Sequence, residues 1–273
     1  MKIPHKRKRD NQQWLLDWVV NQSGRVINYE YEERELPDNV KTYAQVPKAL
    51  GRRADYKASI AEKARLSGHR RTALFTYQEA IFDYIQAQHA IFEDDHPVKL
   101  KYHEKLLRCF DSLIDVADYP IERVEIPWEG KEIQANFHFI PGKPNAPCVI
   151  VLPGMDVTTE FHREPIDHTF TSRGMHAIVI DGPGQGTSNI RKIRINDNNY
   201  EQAVSAVVDW LLDRPEVDSG KIALHGQSMG SHWAARAAAF DERIKATAAS
   251  MSCLGDKIGL FEQLSPRFKQ IFM

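Results

Sequence analysis

Three short, nearly continuous apolar runs, at residues 148–152, 177–180 and 221–224, with a weaker fourth at 246–251, constrain this chain more than any other feature. A strand without a polar face must be covered on both sides. The stretches between the runs, 160–173, 199–212 and 229–240, carry helical patterns that can do the covering. Strands alternating with helices give a parallel sheet, because each crossover returns the chain to the same end. Ahead of the first run, residues 121–126 and 132–140 alternate apolar and polar around a Glu129-Gly130 turn, the pattern of an antiparallel hairpin. The expectation is an open α/β unit over 119–273, mostly parallel, with an antiparallel hairpin at its start.

Residues 10–117 follow a different grammar. Helical patterns at 11–21, 54–66, 71–92 and 99–117 are separated by turn-prone residues, including Pro37, Pro47, Gly68 and the acidic Glu93-Asp94-Asp95-His96-Pro97. That acidic turn reads as solvated. Ala73, Tyr77, Ala80, Ile81, Tyr84 and Ile85 recur at three- and four-residue steps, which predicts one packed helix face. Alanines at 58, 61, 64, 73, 80 and 87 allow close helix approach. The spacing has a flavour of helix-hairpin repeats, but one clean hairpin is short of the roughly three that such arrays need. A helical cap or lid over 1–118, docked on the α/β unit, is the preferred organisation over an independent peptide-binding module.

Charge and cysteine content exclude several classes. With 36 basic and 37 acidic side chains, no global field favours nucleic acid or an anionic membrane. The basic first ten residues read as a solvated terminus. No apolar run approaches the ~20 residues of a membrane helix. The three cysteines, Cys109, Cys148 and Cys253, have no metal spacing, and a reduced, cytoplasmic setting is the simplest reading. No metal site is expected: His162 and His168, six apart, do not share a helix face.

The chemistry is carried by Gly226-Gln227-Ser228-Met229-Gly230. This is G-x-S-x-G placed directly after a strand run and directly before a helical stretch, the context of a nucleophile elbow. A serine hydroxyl is a poor nucleophile and needs exposure and a base. The sharp turn supplies exposure, Gly226 and Gly230 permit tight packing around it, and the helix from Met229 aims its first amides at the site. The expected oxyanion donors are the backbone amides of Met229 and of Met155, the latter in the Pro153-Gly154-Met155-Asp156 loop, where Gly154 allows close approach. Asp181-Gly182-Pro183-Gly184-Gln185-Gly186 matches neither a phosphate loop nor a dinucleotide fingerprint, so no cofactor is expected; the loop is assigned a structural role beside the site. His225 reads as a packing or hydrogen-bonding residue.

Taken with Gly68-His69-Arg70-Arg71-Thr72-Ala73, Tyr77, Ala80 and Pro120-Ile121-Glu122-Arg123-Val124-Glu125-Ile126-Pro127, these motifs make residues 50–255 resemble the FrsA-like branch of the α/β-hydrolase superfamily. That branch includes dihydroxypseudooxynicotine hydrolases and fungal polyketide-shortening hydrolases. The resemblance implies an α/β-hydrolase fold with an N-terminal helical lid. It also implies a cytoplasmic, often dimeric serine hydrolase that cleaves small-molecule esters or carbon–carbon bonds next to a ketone.

One departure stands out. Such triads run Ser, then Asp or Glu, then His, but only 45 residues follow Ser228 in a chain of 273, and the one histidine among them is His232, on the nucleophile's own helix. Asp241, Glu242, Asp256 and Glu262 have no downstream histidine. The expectation is therefore that the triad acid and base are absent from this chain and that it is a fragment of a longer one. A catalytically inactive hydrolase-like protein that binds a partner or small ligand is the alternative.

Overall fold

The computed structural model describes residues 40, 43–91, 93–250, 259 and 262. The helix expected at 11–21, the basic terminus, Cys253 and Asp256 lie outside the described residues.

Three helices form one layer: α1 (Val46–Leu66), α2 (Arg70–His89) and α3 (Pro97–Val116). Helix α1 begins eight residues earlier than its periodicity predicts. Pro47 lies in its first turn, where a missing N–H leaves no bond unmade, so a residue read as a turn former opens a helix instead. The helix closes with the paired bonds of a Schellman motif, His69 N–H to Ala64 C=O at 2.9 Å and Gly68 N–H to Arg65 C=O at 3.1 Å. Ala54, Ala61, Ala73 and Ala80 are fully buried where α1 and α2 meet, as their size suggests.

Helix α2 does not have a single packed face. Gln78, Asp83, Gln86 and Gln88 are buried along with its apolar residues, because the helix runs between neighbours on several sides. Arg53 clamps the buried Asp83 carboxylate through Nε at 2.8 Å and Nη2 at 2.6 Å. Gln78 donates to the Phe161 carbonyl at 2.7 Å, and the rings of Phe82 and Phe161 lie 4.9 Å apart. The acidic turn before α3 also departs from expectation. Asp94 accepts from Lys99, Asn189 and Arg194, tying the helical layer to the segment after the second parallel strand. Burial opposes its ionisation, but the bonds from Asn189 and Lys99 and the charge of Arg194 outweigh it and hold the carboxyl below its usual range.

The sheet contains six described strands: β1 (Ile121–Trp128), β2 (Lys131–His138), β3 (Ala146–Leu152), β4 (His176–Ile180), β5 (Val217–Gln227) and β6 (Ile244–Ser250). Their order is β1-β2-β4-β3-β5-β6. The β1–β2 hairpin is antiparallel and joins β4 antiparallel, while β3, β4, β5 and β6 run parallel. Helices α6 (Asn199–Leu212) and α7 (Met229–Phe240) cover one face, burying Phe137, Ile150, Ile178, Ile180, Val204, Val208 and Leu224. The hairpin, the parallel set and both helices fall where the periodicity placed them.

Residues 160–173, by contrast, do not form one helix. They break into a 3-10 turn (Thr159–Phe161), a single α-turn, α4 (Glu164–Asp167), and another 3-10 turn (Thr171–Arg173). The cause is Glu164. Its buried carboxylate accepts the N–H groups of Phe170 at 3.0 Å and Thr171 at 2.7 Å, and the Thr171 hydroxyl at 2.8 Å, folding the chain back through a left-handed His168. Local bonds to a carboxylate thus displace the helical ladder. One short helix, α5 (Gly186–Ile190), opens where the pattern showed only a loop.

Candidate active site

Chain order and strand order reverse at one place in this sheet. From β3 the chain crosses to β4 on one side, then jumps back over β3 to β5 on the other. The crevice outside the carboxyl ends of β3 and β5 is therefore the topological switch point, the usual ligand position in open α/β sheets. Pairing of Leu152 with Gly226 brings two segments there, the loop at Pro153-Gly154-Met155 and the turn at Gln227-Ser228.

Ser228 has φ 55° and ψ −124° and directly precedes α7. A non-glycine residue at positive φ is strained, and it persists only when its surroundings over-determine it. They do so here. Ser228 N–H donates to the Ser250 carbonyl at 3.1 Å, and the Ser228 carbonyl accepts from Ser231 N–H at 2.9 Å. Ser231, fully buried, donates from Oγ to the carbonyls of Gly226 at 3.0 Å and Ser250 at 2.5 Å. Glycine is obligatory on either side of the turn: a Cβ on Gly226 would lie 2.2 Å from the Gly230 carbonyl oxygen, and one on Gly230 would lie 2.0 Å from that of Leu152.

A Cβ on Gly154 would lie 3.4 Å from the Ser228 Cβ, so the β3 loop passes directly beside the serine. Ser228, Met229, Gly226, Gly230, Gly154 and Met155 are thus gathered at one crevice. Ser228, Met155 and Met229 are half-buried, open enough to be reached.

The other residues weighed from sequence fall elsewhere. Asp241 lies past the far end of the twelve-residue α7, some ~18 Å along it. It accepts from Ser205 Oγ at 2.8 Å and from Arg243 Nη2 at 2.7 Å, and the Arg243 bond chiefly holds its carboxyl down at about 2. His225 points to the opposite sheet face, where its ring meets Phe170 at 5.8 Å. His162 is enclosed there between the rings of His138 and Phe170, at 6.1 and 6.2 Å. Burial, and then the proximity of His225, pushes the His162 imidazole down to about 4. That face carries an apolar cluster of Val149, Val151, Phe170, Ala177 and Val179, and beside it lies a group of buried polar side chains. Gln134 donates to the buried Glu160 at 2.7 Å, and Asp181 accepts the N–H groups of Thr159 at 2.9 Å and Thr187 at 2.8 Å. Burial, followed by the charge of Glu160, raises the Asp181 carboxyl well above its usual range. A cleft of about 290 Å³ among α1, α2 and α3, lined by Asp55, Glu62, Tyr77, Tyr84 and Lys105 among others, shares no lining residue with the Ser228 crevice.

Three residues at the crevice were not singled out from sequence: Ser231, Gln185 and Tyr200. Gln185 Nε2 donates to the carbonyls of Gly154 at 2.9 Å and Pro153 at 3.3 Å, and Tyr200 OH donates to Gln185 Oε1 at 2.6 Å. The available signal was a lone polar side chain set between two glycines of a loop that already read as adjacent to the site.

Comparison with known proteins bears on the whole arrangement. The family described as Esterase FrsA-like matches residues 71–266. A 2,6-dihydropseudooxynicotine hydrolase of Paenarthrobacter nicotinovorans is 32% identical over 127 residues, covering 46% of this chain and 34% of that protein. An α/β-hydrolase of Xenoacremonium sinensis is 30% identical over 212 residues, covering 72% of this chain and 49% of its own. The crystal structure of the 2,6-dihydroxy-pseudo-oxynicotine hydrolase superposes with a TM-score of 0.72 at 22% identity, over 94% of this chain and 66% of that one. The chain spans about half the length, or less, of these curated relatives. Among the described residues no helix is long and apolar enough to cross a membrane.

Proposed function

This chain belongs to the FrsA-like esterase family and has the α/β-hydrolase fold, and from that premise we propose that it is the nucleophile-bearing part of a serine hydrolase acting on a small-molecule ester or a carbon–carbon bond beside a ketone. Ser228 is the nucleophile, and the backbone amides of Met229 and Met155 form the oxyanion hole. The single observation that carries the reading is the strained φ of Ser228 at the switch-point crevice, with Gly154 packed against it.

The chemistry follows from the geometry. Ser228 Oγ adds to a substrate carbonyl, and the oxyanion that forms is held by donors already in place, so little reorganisation accompanies the step. Collapse breaks the bond to the leaving group, an alkoxide for an ester or an enolate for a ketone, and leaves an acyl-serine for water to hydrolyse. The serine proton passes to a base, which then returns it to the departing alkoxide or enolate; His232, one turn along the helix that begins after Ser228, is badly placed for that role. The helical segment, 1–118, acts as a cap on the catalytic segment, 119–273. Its contacts with the loops after β3 and β4, through Gln78, Asp94 and a bond between His103 Nε2 and Thr187 Oγ1 at 3.1 Å, support that role. A cytoplasmic location and a homodimer belong to the same proposal.

A fluorophosphonate probe tests it. Joined to the segment that supplies the triad acid and base, the chain is expected to be labelled at Ser228, and the Ser228→Ala variant of the same protein is expected to remain unlabelled. Equal labelling of the two would remove Ser228 from the mechanism.

A further inference from the structure

The loop at Pro153-Gly154-Met155 is held by a side chain from outside its own strand, Gln185. We infer that Gln185, kept in orientation by Tyr200, is the positioning residue that aims the Met155 amide at the Ser228 crevice; the inference rests on the reading of Ser228 as nucleophile and extends it to a residue that never touches substrate.

The argument begins with peptide geometry. The Gly154 carbonyl and the Met155 N–H belong to one planar trans peptide, so they point in opposite directions. Fixing the carbonyl on one side therefore fixes the direction of the N–H on the other. Two donors fix it: Val157 N–H at 3.3 Å, which only closes the local turn, and Gln185 Nε2 at 2.9 Å, which comes from 31 residues away. The same Nε2 lies 3.3 Å from the Pro153 carbonyl. A side-chain amide spanning two successive carbonyls anchors the loop from behind and leaves the Met155 N–H free to face the serine.

The orientation of the Gln185 amide is itself determined. Both carbonyls are acceptors only, so the nitrogen must face them and Oε1 must face away. Oε1 then accepts from Tyr200 OH at 2.6 Å. Tyr200 is fully buried, and burial raises its phenol well above the ordinary value, so it remains a donor. Its ring stacks on Trp233 of α7 at 4.1 Å, with the planes 10° apart. One connected path thus runs from the helix that follows the nucleophile, through Trp233, Tyr200 and Gln185, to the peptide that presents the second oxyanion donor. The loop and the serine come from different strands, and this path fixes one relative to the other.

The test uses the chain joined to the segment that supplies the triad acid and base, and three variants: Gln185→Leu, which keeps volume and removes the donor; Gln185→Glu, which keeps the acceptor for Tyr200 and removes the donor; and Tyr200→Phe, which removes one oxygen. Fluorophosphonate labelling is followed at several probe concentrations to separate the maximal rate from the half-saturating concentration. Misplacing one donor is expected to lower the maximal rate in both Gln185 variants by about 10–100-fold, while half-saturation stays within about twofold, since ground-state binding does not use the oxyanion hole. Tyr200→Phe is expected to fall in the same direction by a smaller factor. A purely structural role would lower the thermal midpoint without this split. A folded Gln185→Leu protein with an undiminished maximal rate overturns the inference. If that variant does not fold, Tyr200→Phe decides, and an unchanged rate there overturns it equally. If the parent chain and Ser228→Ala label alike, the nucleophile assignment fails separately. The positioning claim is then read from hydrogen exchange of the Val157 amide, which donates to the same Gly154 carbonyl that Gln185 holds and is expected to quicken in Gln185→Leu; an unchanged rate refutes it.

Discussion

Gly230→Ala sets two physical effects against each other at a single position. Gly230 is the second residue of α7, and on helix propensity alone alanine there would stabilise the chain by up to about 1 kcal/mol. Sterics oppose this. The new Cβ would lie 2.0 Å from the Leu152 carbonyl oxygen and 2.7 Å from that of Pro153, both closer than the 3.0 Å that real Cβ contacts respect. The obstructing atoms are main chain, so no rotamer change relieves them; the start of α7 must back away from β3 by about 1 Å. Overpacking that moves backbone lies at the top of the usual range, about 3 kcal/mol. Set against the propensity gain, a net loss of about 2 kcal/mol remains. Urea unfolding monitored by tryptophan fluorescence measures it as a lower midpoint at unchanged slope. Since the same displacement moves Ser228 relative to Gly154, fluorophosphonate labelling is expected to slow as well. A Gly230→Ala chain as stable as the parent or more so, with unchanged labelling, would refute the account of why glycine stands at this position.

Two further outcomes are expected. His162 stays neutral in the folded protein down to about 4, whereas the unfolded chain takes up a proton below about 6.5, so the unfolded state binds more protons in that window and stability falls as pH drops through it; NMR titration of the His162 imidazole should show no midpoint near 6.5, and His162→Gln should flatten that part of the stability profile. Phe137→Ala is expected to cost about 3–5 kcal/mol in urea unfolding, because the fully buried ring of Phe137 meets Phe139 at 5.6 Å, Trp210 at 5.5 Å and His176 at 5.7 Å, and a loss below 1 kcal/mol would show that the site collapses on truncation.

The elements that were legible from sequence are those whose signal is local. Helix α6 occupies 199–212 and α7 occupies 229–240, as periodicity predicts, because a helix buries one stripe and its residues record that stripe directly. The sharp turn that carries Ser228 was legible for a similar reason: its glycines at −2 and +2 answer contacts within the turn itself and with the adjacent strand end. The stretch at 160–173 misled because its pattern is helical, while Glu164 offers the backbone a better set of bonds than the helical ladder does. The start of α1 was missed because a proline opening a helix and a proline closing a loop look alike when only neighbours are read.

What the sequence by itself determined was a pleated, two-side-covered parallel sheet and a serine at a strand-to-helix turn. Both follow from the direction in which each residue must face over the next two to four positions. Tertiary structure alone decided that β5 lies beside β3, that this places Gly154 against Ser228, and that a glutamine 31 residues further on holds the Gly154 carbonyl. No pattern within a few residues encodes those contacts, because a hydrogen bond between distant segments depends on where the whole sheet has placed their backbones.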